Sequence, residues 1–244
     1  DVLGSRGLGD VYKRQIHNSS FKKKRRPLHK IKKNAMENSF RMSLFMPPIS
    51  PIKDKATGRI VKNATLTPLR TVELNEVYKL VTANAKLAAL TLAVRNAVQQ
   101  GDDSVCRLLK QQTLPYVTPC GVFTRRRSDC IEETSGLVVV DVDHLESNEE
   151  AKKLRQLLFE DPYLHPALVF ISPTGKGVKA FVPCAPGQSA TDGIRWAMSY
   201  VHCMYDTDHR NSGKGVDTSG KDLVRSCFLC HDPEALIRTE KDEL

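Results

Sequence analysis

Residues Gly136 to Asp143, GLVVVDVD, constrain the chain more than any other stretch: four consecutive large aliphatics run straight into two aspartates one residue apart. A short apolar run rich in β-branched residues reads as a strand buried on both faces. Because side chains alternate along a strand, Asp141 and Asp143 project from the same face, about 7 Å apart by strand geometry. Two hard oxygen donors at that spacing suit one or two divalent cations, and carboxylates at the end of a buried strand are unfavourable without such a partner. A strand that simply ends in solvated turn carboxylates is the alternative on this motif alone.

The rest of the pattern places that strand. From Thr71 the periodicity predicts a helix with Val77, Val81, Leu87, Leu90, Val94 and Ala97 on one face, ended by Gly101. A second helix runs from Asp102 to Pro115, and Tyr116 to Phe123 reads as extended. After the aspartates, Ser147 and Glu150 form a capping box for a helix closed by Asp161-Pro162. Ala167 to Ser172 and Gly177 to Cys184 read as two antiparallel strands around the turn Pro173 to Lys176. Ser189 or Thr191 caps another helix, and Leu223 to Leu229 reads as a last strand.

The order from Gly136 is β-α-β-β-α-β, so the expected fold class is α+β, with a ferredoxin-like core over residues 136–232. In that topology the first strand is central, the four strands lie antiparallel in the order 4-1-3-2, both helices cover one face and the other face stays open. Lys179 and Arg225 then flank the first strand, and Asp217 enters from the loop ahead of the fourth. Three carboxylates between two cations suit a metal-bound triphosphate.

Composition narrows the partners. The formal charge of +9 sits in the leading segment: residues 1–35 hold 11 Lys or Arg against 2 Asp, and residues 36–244 hold 26 of each sign. The folded part must therefore gather any positive surface locally. Residues 1–15 resemble translated adapter sequence, and Phe21 to Lys33 is either a basic arm or sequence ahead of a true start at Met36 or Met42, so 1–35 is read as disordered tail or artefact. Residues 36–70 read as a linker or extended arm, 71–130 as a helical amino-terminal unit, and 238–244 as the start of a truncated downstream region. Seven cysteines without regular spacing, no signal peptide and no apolar run of transmembrane length point to the cytoplasm and away from membranes. The terminal KDEL, lacking an entry signal, reads as chance.

Two motifs are weighed as decoys. Cys227 to His231 fits the haem-attachment spacing, but that chemistry requires export to an oxidising compartment. Gly215, Gly220 and Lys221 fit GxxxxGK, yet Asp222 stands where a P-loop needs Ser or Thr.

Asp141-Val142-Asp143, then Ser172-Pro173-Thr174-Gly175-Lys176-Gly177-Val178-Lys179, then Val216-Asp217 with Arg225 and Asp232-Pro233, resemble in that order the primase-polymerase-like domain at the amino end of VirE-type proteins in Bacteroidetes mobile elements. That domain belongs to the archaeo-eukaryotic primase superfamily, and the resemblance spans about Thr71 to Ile237. It implies an RRM-like catalytic core with Asp141, Asp143 and Asp217 as catalytic, metal-binding acids for Mg2+ or Mn2+. It also implies a nucleotide held by Ser172, Thr174, Gly175, Lys176, Gly177, Lys179 and Arg225. The expected activity is nucleotidyl transfer from nucleoside triphosphates on a single-stranded DNA template, in company with a helicase domain or protein. The superfamily's second motif ends in histidine where this chain has Lys179, which binds phosphate as a point charge. Two readings compete: a catalytically inactive primase fold that binds nucleic acid, and a DxD phosphohydrolase of the HAD type.

Overall fold

A run of four aliphatics in a central strand needs apolar cover on both sides, and that demand organises the molecule. The computed structural model describes residues 40–205, 215–217 and 222–238. The basic leading segment, the terminal KDEL, and Gly220 and Lys221 lie outside the described residues.

In chain order the elements are β1 (Arg41–Phe45), β2 (Ile52–Lys53), β3 (Ile60–Lys62) and β4 (Arg70–Glu73), then α1 (Leu74–Ala83), α2 (Ala85–Gln99) and α3 (Asp103–Thr113). The short strands β5 (Tyr116–Thr118), β6 (Gly121–Phe123) and β7 (Ile131–Thr134) lead into β8 (Leu137–Asp143). There follow α4 (Asn148–Glu160), β9 (Leu168–Ile171), β10 (Val178–Pro183), α5 (Ala190–Met204), β11 (Gly215–Val216), β12 (Cys227–Phe228) and β13 (Leu236–Ile237). The chain is thus a mixed α and β structure with five α-helices and several antiparallel sheets among the described residues.

The larger sheet runs β11-β8-β10-β9-β13, antiparallel at every pairing. Register puts Leu137 opposite Pro183 and Lys179 opposite Asp141. Val138, Val140 and Val142 alternate onto one face, where they meet Leu154 and Leu158 of α4 and Ile194, Ala197 and Val201 of α5. Ser147 accepts from Glu150 N at 3.1 Å and Ser189 from Asp192 N at 3.1 Å, capping the two helices.

Here the expectation of an open second face is corrected. Leu137, Val139, Phe170 and Phe181 on that face are buried in a second core with Met42, Val72, Val77, Val81, Val94 and Leu114. The reason is the apolar run itself, since an uncovered face would leave large aliphatics in water. Its cover comes from α1, α2 and a four-stranded sheet, β12-β5-β1-β4. That sheet also corrects the reading of residues 36–70 as linker: β1 is one of its two interior strands, with Met42 to Phe45 buried.

Two further expectations shift. Leu223 to Leu229 does not lie beside β8. Leu223 and Val224 are in a turn closed by Arg225 N donating to Asp222 O at 3.0 Å, and only Cys227–Phe228 is strand, paired to β5. The place beside β8 is taken by β11, with Gly215 opposite Asp143. The helix expected from Thr71 to Gly101 is two helices bent by 64° at Asn84, whose side chain accepts from Leu87 N at 2.9 Å and caps the second. The expected face nonetheless points inward on both halves. No single helix among the described residues is long and apolar enough to cross a membrane.

The carboxyl-terminal segment is fastened by a buried ion pair. Arg155 Nη1 on α4 donates to both oxygens of Asp232, at 3.1 and 3.2 Å, and Ile171 N donates to Asp232 Oδ2 at 2.7 Å. Breaking such a pair from one side costs about 3–5 kcal/mol where the remaining charge is uncompensated, and here Arg155 Nη2 keeps only the exposed Glu234, at 3.1 Å, while Ile171 N loses its acceptor. Asp232→Ala should therefore lower urea stability by about that amount, with the double replacement Arg155→Met, Asp232→Leu recovering most of it. A loss under about 1 kcal/mol in Asp232→Ala would show that the pair is not holding the segment.

Candidate metal centre

Beyond Val140 the second cover ends, and the residues that alternate onto that face are Asp141 and Asp143. Asp217 joins them because β11 pairs with the end of β8 and Asp217 N donates to Asp141 O at 2.8 Å. One carboxylate oxygen from each of Asp141, Asp143 and Asp217 lies within 4.8 Å of the others. Strand pleat brings the first two together, and the long connection from α5 returns the third.

Two cations complete the cluster. Lys179, in register with Asp141, pairs with its Oδ2 and is 5% exposed. Arg225 pairs with Asp217, and its Nη2 lies 3.7 Å from Asp141 Oδ2. Arg225 reaches the site from the turn ahead of β12 rather than from a strand beside β8. Asp141 Oδ1 is buried without a hydrogen-bond partner. A buried anionic oxygen left in this way is unfavourable unless a cation meets it, so the donor set fits a hard divalent ion.

The charges do not cancel. Burial, and then the negative charge of Asp141, push the Asp143 carboxyl above its ordinary range, while Lys179, Lys110 and His144 pull the other way. Burial alone would lower the Lys179 ammonium, but the charge of Asp141, with smaller contributions from Cys227, Asp143 and the hydrogen bond to Asp141, holds the group above its usual value. Burial likewise works against the Arg225 guanidinium, which the hydrogen bond to Asp217 keeps raised. The thiol of Cys227 beside them is pushed up to about 12 by burial and stays neutral.

The turn Ser172 to Gly177 closes one side of the cluster. Ser172 N donates to Gly177 O at 2.8 Å, Gly175 N to Ser172 O at 2.9 Å, and the Ser172 and Thr174 hydroxyls are 3.0 Å apart. A Cβ at Gly177 would stand 2.5 Å from Val142 O and 3.1 Å from Asp143 Oδ1, so this approach of the turn to β8 requires glycine. Gly175, at φ +76°, is held by Asn148 Nδ2 donating to its carbonyl at 2.9 Å. Lys176 is exposed on the turn, whereas Lys179 lies beneath the acids with its ammonium committed to Asp141. The expected nucleotide residues thus gather at one place, with Lys179 as a carboxylate partner.

Three residues at the site went unread in the sequence: Arg95, Lys110 and Asn148. Arg95 Nε is buried without a partner, 3.6 Å from where a Cβ on Gly175 would stand, and Nη2 donates to His231 O at 3.3 Å. Lys110 acts on Asp143 from α3. No local spacing announces them, because only the packing of α2 and α3 against the sheet brings them near. In the CxxCH stretch, Cys227 and Cys230 are buried, and His231 N donates to Thr91 Oγ1 at 2.8 Å. Of the arginine cluster ahead of β8, Arg126 lies over the Tyr116 ring at 5.5 Å and Arg127 pairs with Asp129 at 2.5 Å.

Fold and site together define an antiparallel α and β domain that gathers three acids at the end of the interior strand β8. The family model described as BT4734-like, N-terminal domain matches residues 109–236, more than half of the chain. The chain belongs to this family, a family of the Bacteroidetes. The matched span holds all three acids, the glycine turn, Lys179, Arg225 and Asp232, and it leaves out Arg95 and β1. No curated protein and no solved structure matches the chain.

The raised Asp143 sets a pH dependence with a definite sign. An acid whose folded pKa lies above its unfolded value of about 3.9 binds protons on folding, so stability falls as pH rises through the interval between the two. Without divalent metal, Asp143→Asn should melt above wild type at pH 7, with the advantage vanishing below about pH 4. Manganese should raise the wild-type melting temperature and leave Asp143→Asn unmoved. A variant that responds to manganese like wild type would remove Asp143 from the ligand set.

Proposed function

We propose that this protein is a metal-dependent nucleotidyltransferase, a primase-polymerase that joins nucleotides on a single-stranded DNA template in the replication of a mobile element. The observation that carries the reading is the convergence of Asp141, Asp143 and Asp217 within 4.8 Å around a buried, unpartnered Asp141 oxygen, beside a glycine turn rich in hydroxyl and amide groups. The connectivity β8-α4-β9-β10-α5-β11 with the order β11-β8-β10-β9 supports an RRM-like core. An antiparallel sheet throughout speaks against the doubly wound parallel sheet of a HAD-type phosphohydrolase.

On this reading the three carboxylates hold Mg2+ or Mn2+, which when bound supplies charge neutralisation at the phosphates and a lowered pKa for the attacking hydroxyl. Ser172, Thr174 and the turn backbone set the position of the triphosphate, and Lys176 on the turn and Arg95 beside Gly175 offset its charge. Lys179 orients Asp141, and Arg225 does the same for Asp217 until phosphate competes for its guanidinium. The cytoplasmic setting and a helicase partner belong to the same proposal.

A specific observation favours one alternative, the catalytically inactive nucleic-acid-binding module. Lys179 and Arg225 already pair with two of the acids and so compete with a cation for them. The two readings part in a template-extension assay with labelled NTPs or dNTPs and manganese. Wild type should make short products and Asp141→Asn none. Arg95→Ala should weaken nucleotide binding about ten- to a hundredfold, the equivalent of a charge-assisted contact of about 1.5–3 kcal/mol. Absence of product from wild type with either nucleotide class, together with single-strand binding indifferent to Asp141→Asn and to nucleotide, would replace the enzyme with the module.

A further inference from the structure

The ribbon formed by β2 and β3 takes no part in the acid cluster, and its chemistry points to a partner of its own. Residues 55–62 are exposed at every position. The ribbon carries Lys53, Lys55, Arg59 and Lys62 against a single acid, Asp54. Asp54 is engaged within its own turn: its Oδ1 accepts from Thr57 N and Thr57 Oγ1, each at 2.7 Å, and Asp54 N donates to Arg59 O at 2.9 Å. None of the four cations is in an ion pair among the described residues. Exposed like charges held this close repel one another, an arrangement that an external polyanion would relieve.

The ribbon has a fixed base and a two-sided charge pattern. Ile49 N donates to Gln111 O of α3 at 2.9 Å, Arg126 Nη2 to Ile49 O at 2.6 Å, Arg126 N to Leu66 O at 2.7 Å and Tyr116 Oη to Thr65 O at 2.8 Å. That anchoring places the exposed Arg125 next to the base and ties the ribbon to α3, the helix from which Lys110 acts on Asp143. Ile52 pairs with Lys62 and Lys53 with Ile60, the extra residue Val61 bulging between them. Opposite residues share a face and successive residues alternate, so cations occur on both faces of the ribbon as well as at its tip.

We propose that the β2–β3 ribbon is a duplex-binding element, with Lys53, Lys55, Arg59 and Lys62 set against the phosphate backbones of double-stranded DNA. A two-stranded ribbon fits the width of the major groove, and cations on both of its faces meet phosphate walls on both sides. The ribbon has no Phe, Trp or Tyr between residues 51 and 62, and so lacks the stacking platform with which a single strand would be held. The inference rests on the nucleotidyltransferase reading for its setting, since a site that extends a strand on a template needs a hold on the duplex it has made. The electrostatic argument for the ribbon is independent of the acids.

The test is binding of the full chain to a blunt DNA duplex by fluorescence anisotropy, with salt varied between about 50 and 200 mM. Each phosphate contact on a duplex contributes about 0.9 to the slope of log affinity against log salt, so K53Q/K55Q/R59Q/K62Q should flatten that slope by about 3 to 4. Affinity should fall at least tenfold, and the basic leading segment, being the same in both proteins, cancels in the difference. If the quadruple variant melts below wild type, the tip double variant K55Q/R59Q replaces it, with half the change in slope expected. A wild-type slope in a folded variant overturns the proposal. So does an equal loss of affinity for the single strand of the same sequence, which would assign the ribbon to template instead, or displacement of the duplex by polyglutamate at equal charge. Asp141→Asn should lose product while keeping the wild-type slope. Ribbon-dependent duplex binding in a protein that makes no product would sink the catalytic reading alone, and product formation with ribbon-independent binding would sink the ribbon alone.

Discussion

The structure depends on the double burial of β8. Leu137 to Val140 point alternately into two cores, one with α4 and α5 and the other with α1, α2 and the β12-β5-β1-β4 sheet. A strand in that position cannot be solvated on either side, so the amino-terminal unit is the second wall of the sheet rather than an appendage. It also explains why the chain returns after α5: β12 completes the outer sheet, while Asp232 anchors the following segment to α4 and β9.

The acid cluster is placed by where that burial stops. Asp141 and Asp143 continue the alternation that buries Leu137 and Val139, and they fall just past the edge of the second core. The acids are therefore mostly buried, with the Asp141 and Asp217 side chains 12% and 20% exposed, and that burial raises Asp143. Lys179 and Arg225 pair with Asp141 and Asp217, and one oxygen of Asp141 is left buried without a hydrogen-bond partner.

The amino-terminal unit contributes more than cover. Through Arg95 and Lys110 it directs positive charge at the glycine turn and at Asp143, and through α3 it fixes the base of the β2–β3 ribbon. α3 thus serves both, carrying Lys110 toward Asp143 and fixing the base of the ribbon through Gln111.

The sequence by itself determined the local elements whose cause is local. The aliphatic run specified β8, period 2 put Asp141 and Asp143 on one face, and Ser147 and Ser189 announced α4 and α5 by their caps. The strand order expected from the sequence put Lys179 beside Asp141 as a phosphate ligand, and the register of the folded sheet makes it the partner of the Asp141 carboxylate instead. Only the tertiary structure decided what covers the second face, which segment lies beside β8, and which cations reach the acids. Those outcomes turn on contacts between residues more than fifty positions apart, such as Arg155 with Asp232 or Arg95 with His231, and on which of Gly215–Val216 and Leu223–Leu229 takes the edge beside β8. Cys227 and Phe228 instead pair with Val117 and Tyr116 in the outer sheet, and no window of sequence contains both sides of that competition.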